Sequence, residues 1–287
     1  MNHIKYSLIL ATLNPKLNLL LRLLDSLSNQ SIKNFELIVV DQSTQPVNKD
    51  LINNKYSDFF NIYFTTSKKG LSRARNLGAR FAKGEFLLFP DDDCWYDCDF
   101  FYLLTKYVNN ENNKILTFRA ANDQNINIAK FDSQPGLCDK FNIWRRVSSI
   151  SLCVKKDIFE DLSGFDENLG LGSGTLTGAC EDIELPLRAM SLNLSVKYNP
   201  VIVARHDIPM QRDYNLVIHR AKTHMFSVGY LYKKYNYPLS FILFSISKNI
   251  AGILLYTFRF NKKMAKYHYY TALGKINGYL SNDNIKN

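Results

Sequence analysis

The chain has 287 residues, 46% of them hydrophobic, so it can bury a substantial core and form one or two domains. Its five cysteines are scattered and odd in number, which argues against a disulfide framework, and no second Cys/His pair follows Cys94 and Cys98 at zinc-site spacing. The net charge of +10 lies in the C-terminal third: 13 Lys/Arg and three Asp follow from Arg205 onward, whereas the preceding residues hold 23 of each sign. A basic end of this kind suits nucleic acid or an anionic membrane surface.

Strand-like and helix-like stretches alternate along the first 90 residues. Short apolar runs predict strands, while leucines at helical spacing and a glycine before a periodic stretch predict helices. This alternation is typical of βαβ units around a mostly parallel sheet, in which ligands bind at the carboxyl ends of the strands. The predicted strands cover residues 4–11, 35–40, 62–66 and 85–89, and the predicted helices cover residues 17–27 and 70–82. No charged-then-apolar leader precedes the first strand, so we expect this part to be cytoplasmic.

The middle of the chain is less regular. Residues 109–142 are polar and weakly periodic, so we predict edge strands and a mobile loop there. A loop with four glycines occupies residues 170–178. After it, the sequence predicts a helix from Glu181 to about Leu192 and an apolar strand at residues 201–204.

The C-terminal region changes character after Pro209. Its longest apolar run, Leu239–Phe258, is interrupted by Lys248 and Asn249, whereas a free-standing transmembrane helix usually lacks such residues. Lysines and tyrosines flank the run on both sides, a pattern that indicates helices lying in a membrane interface. A buried helix of a soluble protein would explain the apolar run but not the lysine flanks. We therefore expect residues 216–287 to associate with a membrane.

Three adjacent carboxylates, Asp91, Asp92 and Asp93, follow the apolar run at residues 86–90. Like charges this close repel one another, so a cation or hydrogen-bond donors must compensate them. Carboxylates one residue apart can place one on a hard divalent ion and the other on a ribose hydroxyl. The alternative is a solvated acidic turn without a role, but the apolar strand before it and Trp95 after it favour a site.

Basic residues open the predicted helix at residue 70. Arg73 and Arg75 lie in its first turn, where a phosphate can meet both the side chains and the positive helix end, and Ser72 can cap the helix. An ordinary exposed basic turn would have the same sequence. This segment alone therefore leaves both interpretations open.

Two acidic residues, Glu181 and Asp182, follow the glycine-rich loop and begin a helix. The helix dipole keeps a carboxylate in this position ionised, and such a carboxylate can act as a general base towards a hydroxyl. Plain N-terminal capping is the alternative. His206 follows the strand at residues 201–204 and can complete a metal site as a neutral imidazole, although a lone histidine also serves structural roles.

Taken in order, these segments resemble the inverting family 2 glycosyltransferases, and the resemblance covers residues 4–208. It implies the GT-A fold, an α/β architecture in which helices flank a mostly parallel, twisted sheet. We therefore expect a GT-A catalytic domain over residues 1–215. Residues 216–287 are expected to form a basic, apolar, helical extension that associates with the membrane.

The resemblance also assigns residues around the nucleotide. The segment containing the first predicted strand looks like the family's first strand and nucleotide-contacting turn. By this likeness Thr12 and Asp41 contact the nucleoside, with Asp41 reaching the base, and Asn14 belongs to the turn that binds the nucleotide-sugar. Arg75 and Asn76 match the family's Ala-Arg-Asn element beside the nucleotide.

Asp91 and Asp93 match the family's DxD motif. The resemblance implies that Asp91 and Asp92 contact the nucleotide-sugar, that Asp93 is the metal ligand, and that His206 matches a histidine near the metal and diphosphate. The implied cofactor is a divalent metal, Mn²⁺ or Mg²⁺. The implied donor is a uridine or thymidine diphosphate sugar, with guanosine as the alternative nucleoside.

Asp182 matches the base of the family's Glu-Asp motif, and Glu181 is the next candidate for that role. The stretch from Gly164 to Asp182 is similar to a bacterial subgroup that builds capsule, exopolysaccharide or O-antigen chains, in which the loop commonly ends Gly-Glu-Asp. Here Cys180 replaces that glycine and Pro186 lies early in the following helix, but both carboxylates are kept.

The resemblance implies a single in-line displacement with inversion at the anomeric carbon. Asp182 would take the proton from the acceptor hydroxyl, and a metal held by Asp93 would stabilise the departing diphosphate. The expected acceptor is a glycan or a lipid-linked glycan. We therefore expect the enzyme to lie peripherally on the cytoplasmic face of the plasma membrane, against an anionic surface.

Two functions from other classes fit parts of the sequence. A sugar nucleotidyltransferase also uses paired carboxylates and a metal, but it normally carries a glycine-rich loop after the first strand, and residues 12–15 contain no glycine. A non-catalytic nucleic-acid-binding protein would explain the basic tail. The charges of the tail are interleaved with Leu, Ile and Phe, however, and no RNA-binding or zinc-finger motif is present, so we expect no nucleic-acid partner.

Overall fold

The computed structural model describes residues 3–109, 113–208 and 213–281. Three of the sequence predictions extend beyond these ranges. Positions 1, 2 and 209–212 of the predicted catalytic domain lie outside the described residues. Positions 110–112 of the polar middle stretch lie outside the described residues. The same holds for positions 282–287 of the basic C-terminal region.

The chain divides into two compact units. The first contains the described residues up to Asp166 together with Glu181–Ile208, and the second contains Glu167–Cys180 with the described residues after position 212. The glycine-rich loop therefore belongs to the second unit. The predicted domains, residues 1–215 and 216–287, stay a prediction, because compactness alone does not show which parts fold independently.

The first unit is built around one mixed sheet of nine strands, counted over the described residues. The strands are β1 (Tyr6–Thr12), β2 (Phe35–Asp41), β3 (Asn61–Thr66), β4 (Phe86–Leu88), β5 (Cys94–Tyr96), β6 (Ile115–Ala121), β7 (Gly136–Leu137), β8 (Leu152–Lys155) and β9 (Val196–His206). Their order is β3-β2-β1-β4-β8-β6-β9-β5, and β7 also pairs with β9. The first four strands are parallel, as the alternating pattern predicted, whereas β8 and β5 are antiparallel to their neighbours.

Helices bury apolar faces within this unit. The helices of its described part are α1 (Leu17–Ser28), α2 (Lys49–Tyr56), α3 (Leu71–Ala79), α4 (Phe100–Val108), α5 (Lys156–Asp161) and α6 (Glu181–Ser191). In α1 the buried leucines at positions 20, 23, 24 and 27 follow the spacing of one helix face, and they share a core with β1 and β2. Every residue of β1 and β2 is buried, as is usual for parallel strands that are covered on both faces.

The register of the parallel strands places the first polar residues of the site side by side. Thr12, the last residue of β1, is paired with Asp41, the last residue of β2. Asp41 is paired in turn with Thr66 of β3. The neighbouring strand β4 ends three residues before Asp91. The carboxyl edge of the sheet therefore gathers the predicted nucleotide-binding residues, as expected for an α/β sheet.

The polar middle stretch differs from the expectation of edge strands. Its strand β6 lies inside the sheet between β8 and β9, and six of its seven residues are buried. The polarity belongs to the segment after β6, where only the short β7 pairs with β9. The sequence analysis also did not predict α2, which buries only Ile52 and Tyr56, or α4, which buries four apolar side chains. Both helices are short, so few apolar positions mark their period.

In the second unit the described helices are α7 (Tyr214–Lys234), α8 (Leu239–Phe258) and α9 (Lys262–Leu280). Glycines let α7 and α9 approach until their backbones touch. A Cβ added to Gly229 would overlap the carbonyl oxygen of Lys275, and one added to Gly278 would overlap that of Phe226. The predicted apolar run coincides with α8, the one helix of the described chain that is long and apolar enough to cross a membrane, and only 17% of its most apolar window is buried.

Candidate active site

Arg75 connects the two acidic motifs of the first unit. Its guanidinium is fully buried, and it donates to Asp91 Oδ1 at 3.0 Å and to Glu181 Oε1 at 3.1 Å. The rings of Phe89 and Phe165 lie 6.0 and 5.6 Å from the guanidinium carbon. A buried cation must be paired, and here both partners are carboxylates from motifs that are 90 residues apart in the chain. Arg75 thus holds the segment after β4 against the start of α6.

Asp182 lies next to this cluster at the second position of α6. Burial raises the pKa of Asp182 from 3.8 to about 7; the charge of Glu181 acts in the same direction, while Arg75 opposes it. A carboxylate with a pKa near the working pH combines an available lone pair with a useful affinity for a proton. Glu181 has its Oε1 engaged with Arg75, so it is the less suitable base of the two.

Cys180 takes the left-handed conformation, with φ of 70°, just before this motif. L-residues adopt that conformation at a cost, whereas glycine adopts it freely. Position 180 therefore has a backbone conformation that favours glycine, the residue that the similar subgroup commonly carries before Glu-Asp. This chain has a cysteine at that position.

Asp93 and His206 form a second pair. His206 Nε2 lies 3.3 Å from Asp93 Oδ1, and the other ring nitrogen, Nδ1, lies 2.6 Å from the carbonyl oxygen of Asp207. The hydrogen bond between them lowers the pKa of Asp93 and raises the pKa of His206. Because the carbonyl oxygen of Asp207 can only accept, Nδ1 carries a proton. Nε2 then donates to Asp93 in the charged ring, and in the neutral ring it would offer its lone pair to a metal.

The two side chains fit a partial metal site. Within the ranges that the structure describes, no group of three or more His, Cys, Asp or Glu side chains is arranged to hold a metal. Mg²⁺ and Mn²⁺ are commonly bound by one or two protein carboxylates, with substrate phosphates and water as the other ligands. Asp93 and His206 therefore suit a metal that is completed by a diphosphate, and the metal-ligand assignment stays a prediction.

Arg22 is a residue of this site that the sequence did not reveal. It donates to the carbonyl oxygen of Asp93 at 2.9 Å, pairs with Asp207 at 2.8 Å and stacks 3.7 Å above the Trp95 ring. It thereby connects the backbone of Asp93 with the side chain of Asp207, the residue after His206. Arg22 lies among the leucines of α1, far from any motif, and no local pattern marks it.

The edge formed by β1 and β2 is held by short-range polar contacts. Asp41 is buried and accepts hydrogen bonds from the backbone N–H groups of Ser43 at 2.9 Å and Val47 at 2.7 Å. Thr12 donates to a carboxylate oxygen of Asp92. Burial raises the pKa of Asp92, and this hydrogen bond from Thr12 opposes the effect. The loop after β2 and the acidic run are therefore ordered by the residues predicted to bind the nucleoside.

Two further predicted residues have clear local partners. The backbone N–H of Asn14, which has a φ of 50°, donates to Ser43 Oγ at 2.6 Å. Asn76 donates through Nδ2 to the carbonyl oxygen of Phe165 and accepts through Oδ1 from its N–H, at 2.9 and 2.8 Å. Asn76 therefore fixes the Gly164–Phe165 turn, and its predicted contact with the nucleotide stays a prediction.

Two polar residues near the acidic run were also missed by sequence reasoning. Gln42 accepts from Gly70 N–H at 2.7 Å, which links the end of β2 to the start of α3. Ser149 donates to Asp91 Oδ2 at 3.3 Å, opposite Arg75. Neither lies in a recognisable motif, because the contacts that define their roles span 28 and 58 residues.

The architecture matches solved glycosyltransferase structures of the GT-A class. The crystal structure of S. aureus TarS 1-349 aligns with a TM-score of 0.59 at 16% identity, over 95% of this chain and 90% of that one. The mannosyltransferase PcManGT from Pyrobaculum calidifontis, solved with GDP-Man and Mn²⁺, aligns with a TM-score of 0.64 at 15% identity, over 96% and 87%. Likeness at this identity defines the fold, which is GT-A as predicted.

The sequence itself gives the family. Residues 7–151, slightly more than half of the chain, match the family model of Glycosyl transferase family 2, and the chain belongs to that family. An uncharacterized glycosyltransferase of Haemophilus influenzae is 38% identical over 76 residues, 26% of this chain and 24% of that protein. The GalNAc(5)-diNAcBac-PP-undecaprenol beta-1,3-glucosyltransferase of Campylobacter jejuni is 36% identical over 92 residues, 31% and 29% of the two chains. These matches span about a quarter of each relative.

Proposed function

We propose that the protein is a metal-dependent, inverting glycosyltransferase that moves a sugar from a nucleotide-diphosphate sugar to an acceptor hydroxyl. The observation that carries this proposal is the buried Arg75, which ties the DxD segment at Asp91 to the Glu-Asp motif at Glu181. The segment that contains the proposed metal ligand Asp93 and the segment that contains the proposed base Asp182 are thus joined through Asp91 and Glu181. Neither a capping role for Glu181 nor a solvated acidic turn would require a shared, fully buried cation.

In the proposed reaction Asp182 accepts the proton of the acceptor hydroxyl as its oxygen attacks the anomeric carbon. Burial and the neighbouring Glu181 raise the pKa of this base, and the charge of Arg75 limits the rise. Asp93 and His206 would hold a divalent cation, which supplies electrostatic stabilisation of the departing diphosphate. Arg22 keeps both ligands in place through Asp207 and the Asp93 backbone.

The nucleoside of the donor is proposed to bind at the carboxyl edge of β1 and β2, where Thr12, Asn14 and Asp41 lie. Asp91 and Asp92 are assigned to the ribose and diphosphate side of the same donor. TarS has been solved with UDP and with UDP-GlcNAc, and PcManGT with GDP-Man. We propose a uridine or thymidine diphosphate sugar for this chain, with a guanosine diphosphate sugar as the alternative.

The acceptor is proposed to be a lipid-linked glycan of a bacterial surface polysaccharide. The name of the Campylobacter jejuni relative specifies an undecaprenol-linked acceptor. Another relative is the putative glycosyltransferase EpsH of Bacillus subtilis, which is 29% identical over 100 residues. The match covers 34% of this chain and 29% of that protein. The enzyme would then work on the cytoplasmic face of the membrane, where nucleotide-sugars are available.

The proposed membrane location rests on the exposed apolar side chains of α8 in the second unit. In α8, seven large apolar side chains are at least 45% exposed: Leu239, Leu243, Phe244, Ile250, Leu254, Leu255 and Phe258. Large exposed apolar surfaces commonly mark sites that contact a membrane or another molecule. Each Lys or Arg near an anionic surface contributes about 1 kcal/mol of attraction. We propose that α8 and its lysine flanks lie in the membrane interface, peripherally rather than across it, since Lys248 interrupts the apolar run.

Liposome co-sedimentation tests this location with the full chain. We expect binding to anionic vesicles that weakens with salt, and about tenfold or greater loss when the lysines at 262, 263 and 266 are changed to glutamine, because three contacts are lost. Changing the lysines at 49, 55 and 106 of the first unit is the charge-matched control. If the unchanged protein stays in the supernatant at low salt, the membrane assignment is wrong.

The catalytic proposal is tested by a panel of nucleotide-sugars with and without Mn²⁺, followed by thermal shift and by hydrolysis. We expect one nucleoside diphosphate to stabilise the protein only when Mn²⁺ is present. NMR of the transferred sugar then gives its anomeric configuration, which must be opposite to that of the donor. Retention of configuration would refute the single displacement at Asp182, and stabilisation that is independent of metal would refute the metal assignment.

A further inference from the structure

A cavity of about 520 Å³ lies within the second unit, between the glycine-rich loop and α7. We call it the loop–α7 cavity. The loop side consists of small or hydroxyl-bearing residues and two leucines, and the helix side carries nitrogen-rich side chains. Its lining residues are Leu171, Gly172, Ser173, Gly174, Thr175, Leu176, Gly178, Leu216, His219, Arg220, Thr223 and His224.

The loop side is a fixed backbone surface. Gly170, Gly172 and Gly174 all have φ between 75° and 94°, a conformation that side chains with a Cβ rarely adopt. The hydroxyls of Thr175 and Thr177 both donate to the carbonyl oxygen of Asn168, at 2.6 and 2.5 Å, and so close the loop on itself. A Cβ added at Gly174 would meet nothing within 4 Å, so the backbone here faces open space. Such a loop lets a ligand approach the main chain closely.

On the helix side, Arg220 is the one Lys or Arg among the described residues that line the cavity. His219, Arg220 and His224 line the cavity, and none of the described residues that line it is acidic. The nearest acidic residue along the helix, Asp213, accepts from the Asn215 N–H at its N-terminus. Burial lowers the pKa of His224 to about 4, with the charges of Arg220 and His219 acting in the same direction. His224 is therefore a neutral hydrogen-bonding group beside a positive charge, which suits an anion with several oxygen atoms.

A second cavity, of about 230 Å³, shares Leu216, Arg220 and His224 with the first. The rest of its lining is apolar or aromatic: Val217, Ala221, Met225 and Tyr267. Arg220 thus lines both cavities, and apolar side chains contribute to the lining of each. A molecule with a phosphoryl group attached to an apolar chain could place the phosphoryl group at Arg220 and the chain along the apolar lining.

We propose that the loop–α7 cavity binds a phosphoryl group of the acceptor, with Arg220 as its principal ligand. The assignment rests on the proposed function, since the acceptor is defined by that reaction. The acceptor is chosen over the donor because the donor diphosphate is already served by Asp93, His206 and the β1–β2 edge of the first unit. In the sequence, moreover, Glu181 and Asp182, which are assigned to the acceptor hydroxyl, follow the end of the loop by three and four residues.

Calorimetric titration of the full chain tests the proposal without reference to turnover. Three ligands are compared in EDTA, so that a metal-dependent donor site stays silent: inorganic pyrophosphate, farnesyl diphosphate and UDP. We expect pyrophosphate and farnesyl diphosphate to bind, and Arg220→Gln to weaken both by about tenfold or more, the loss expected for a charge-assisted hydrogen bond. Lys222→Gln is the matched control, because it removes the same charge from the same helix outside both cavities.

The ligand comparison separates the sources of the phosphoryl group. Farnesyl diphosphate binding more tightly than pyrophosphate, with the advantage lost in Met225→Ser, identifies a lipid-linked phosphate. Equal affinities identify a phosphate of a soluble or polymeric acceptor. Binding of UDP that also depends on Arg220 would overturn the acceptor assignment, because the cavity would then take a donor diphosphate.

A second variant keeps the test informative if Arg220→Gln does not fold. His219→Gln changes an exposed side chain of the same cavity and is expected to weaken pyrophosphate binding by a smaller factor than Arg220→Gln. If both variants unfold at the wild-type temperature and bind pyrophosphate as the wild type does, the proposal is wrong. Nucleotide binding with Mn²⁺ is measured on the same samples, so failure of the donor site and failure of the loop–α7 cavity are distinguished.

Discussion

Replacement of Arg75 by glutamine probes the link between the two acidic motifs. It leaves Glu181, whose side chain is 7% exposed, without its cation, whereas Asp91 is 36% exposed and can recover water. Removing one partner of a buried ion pair costs about 3–5 kcal/mol, and the exposure of Asp91 places this case near the lower end. For a unit of this size we expect the unfolding midpoint to fall by about 6–12 °C.

The same change alters the pH dependence of the reaction. Burial and Glu181 raise the pKa of Asp182 to about 7, and the charge of Arg75 lowers it. In the wild type the rate should therefore fall as the pH drops through about 7, because Asp182 must be ionised to accept a proton. Without Arg75 the pKa of Asp182 rises further, so the acid limb of kcat/KM moves to higher pH. A merely structural role for Arg75 would lower the amount of folded enzyme but leave the position of this limb unchanged.

Differential scanning fluorimetry and a pH–rate profile measure the two effects on the same samples. Arg75→Gln combined with Glu181→Gln is the informative control, since removing both charges restores part of the stability that either single change loses. Arg73→Gln is the matched exposed variant, and we expect it to change the midpoint by less than about 1–2 °C. If Arg75→Gln shifts neither the midpoint nor the acid limb, Arg75 does not organise the site.

Four further outcomes follow from the same geometry. Asp182→Asn should abolish transfer, with at least about 10²-fold loss, while donor binding by calorimetry stays within about twofold; retention of a tenth of the rate would exclude it as the sole base. Asp93→Ala should remove the Mn²⁺-dependent part of nucleotide affinity, and unchanged affinity would place the metal elsewhere. Cys180→Gly should keep activity and raise the free energy of unfolding by about 1 kcal/mol, because φ is positive at this residue. Thermal unfolding measures the change, and a loss of stability would show that a contact of the thiol stabilises the fold. Gly278→Ala should destabilise the second unit, because the added Cβ would overlap the Phe226 carbonyl oxygen. Protease resistance of α7–α9 measures this effect, and unchanged resistance would mean that the two helices can move apart without loss of stability.

Sequence patterns predicted the parts of the fold whose signals are local. The continuous apolar runs of β1 and β2 mark strands that are buried on both faces, and the spacing of leucines marks the buried face of α1. Chain order then places Thr12, Asp41 and the acidic run at one edge of the sheet. The position of β6 between β8 and β9 has no such signal, because the order of strands in the second half depends on pairings between residues about 40 to 80 apart.

The residues that were missed share a physical reason. A motif reveals the side chains that act on a ligand, because chemistry demands particular residue types at fixed spacing. Arg22 and Ser149 act on other protein groups, the carbonyl oxygen of Asp93 and the carboxylate of Asp91, and any donor that reaches those atoms would serve. Their identity is set by distances in the folded chain, so a single sequence cannot single them out.

Arg75 shows how a residue can satisfy a motif and still have a second role. The sequence pattern assigns it to the nucleotide, as one basic side chain in the first turn of a helix. In the folded chain its charge is already balanced by Asp91 and Glu181, two carboxylates that would otherwise repel the donor diphosphate and each other. A mobile surface arginine could neutralise a diphosphate but could not hold the segment after β4 against the start of α6. The buried position therefore matters as much as the residue type, and only the fold supplies it.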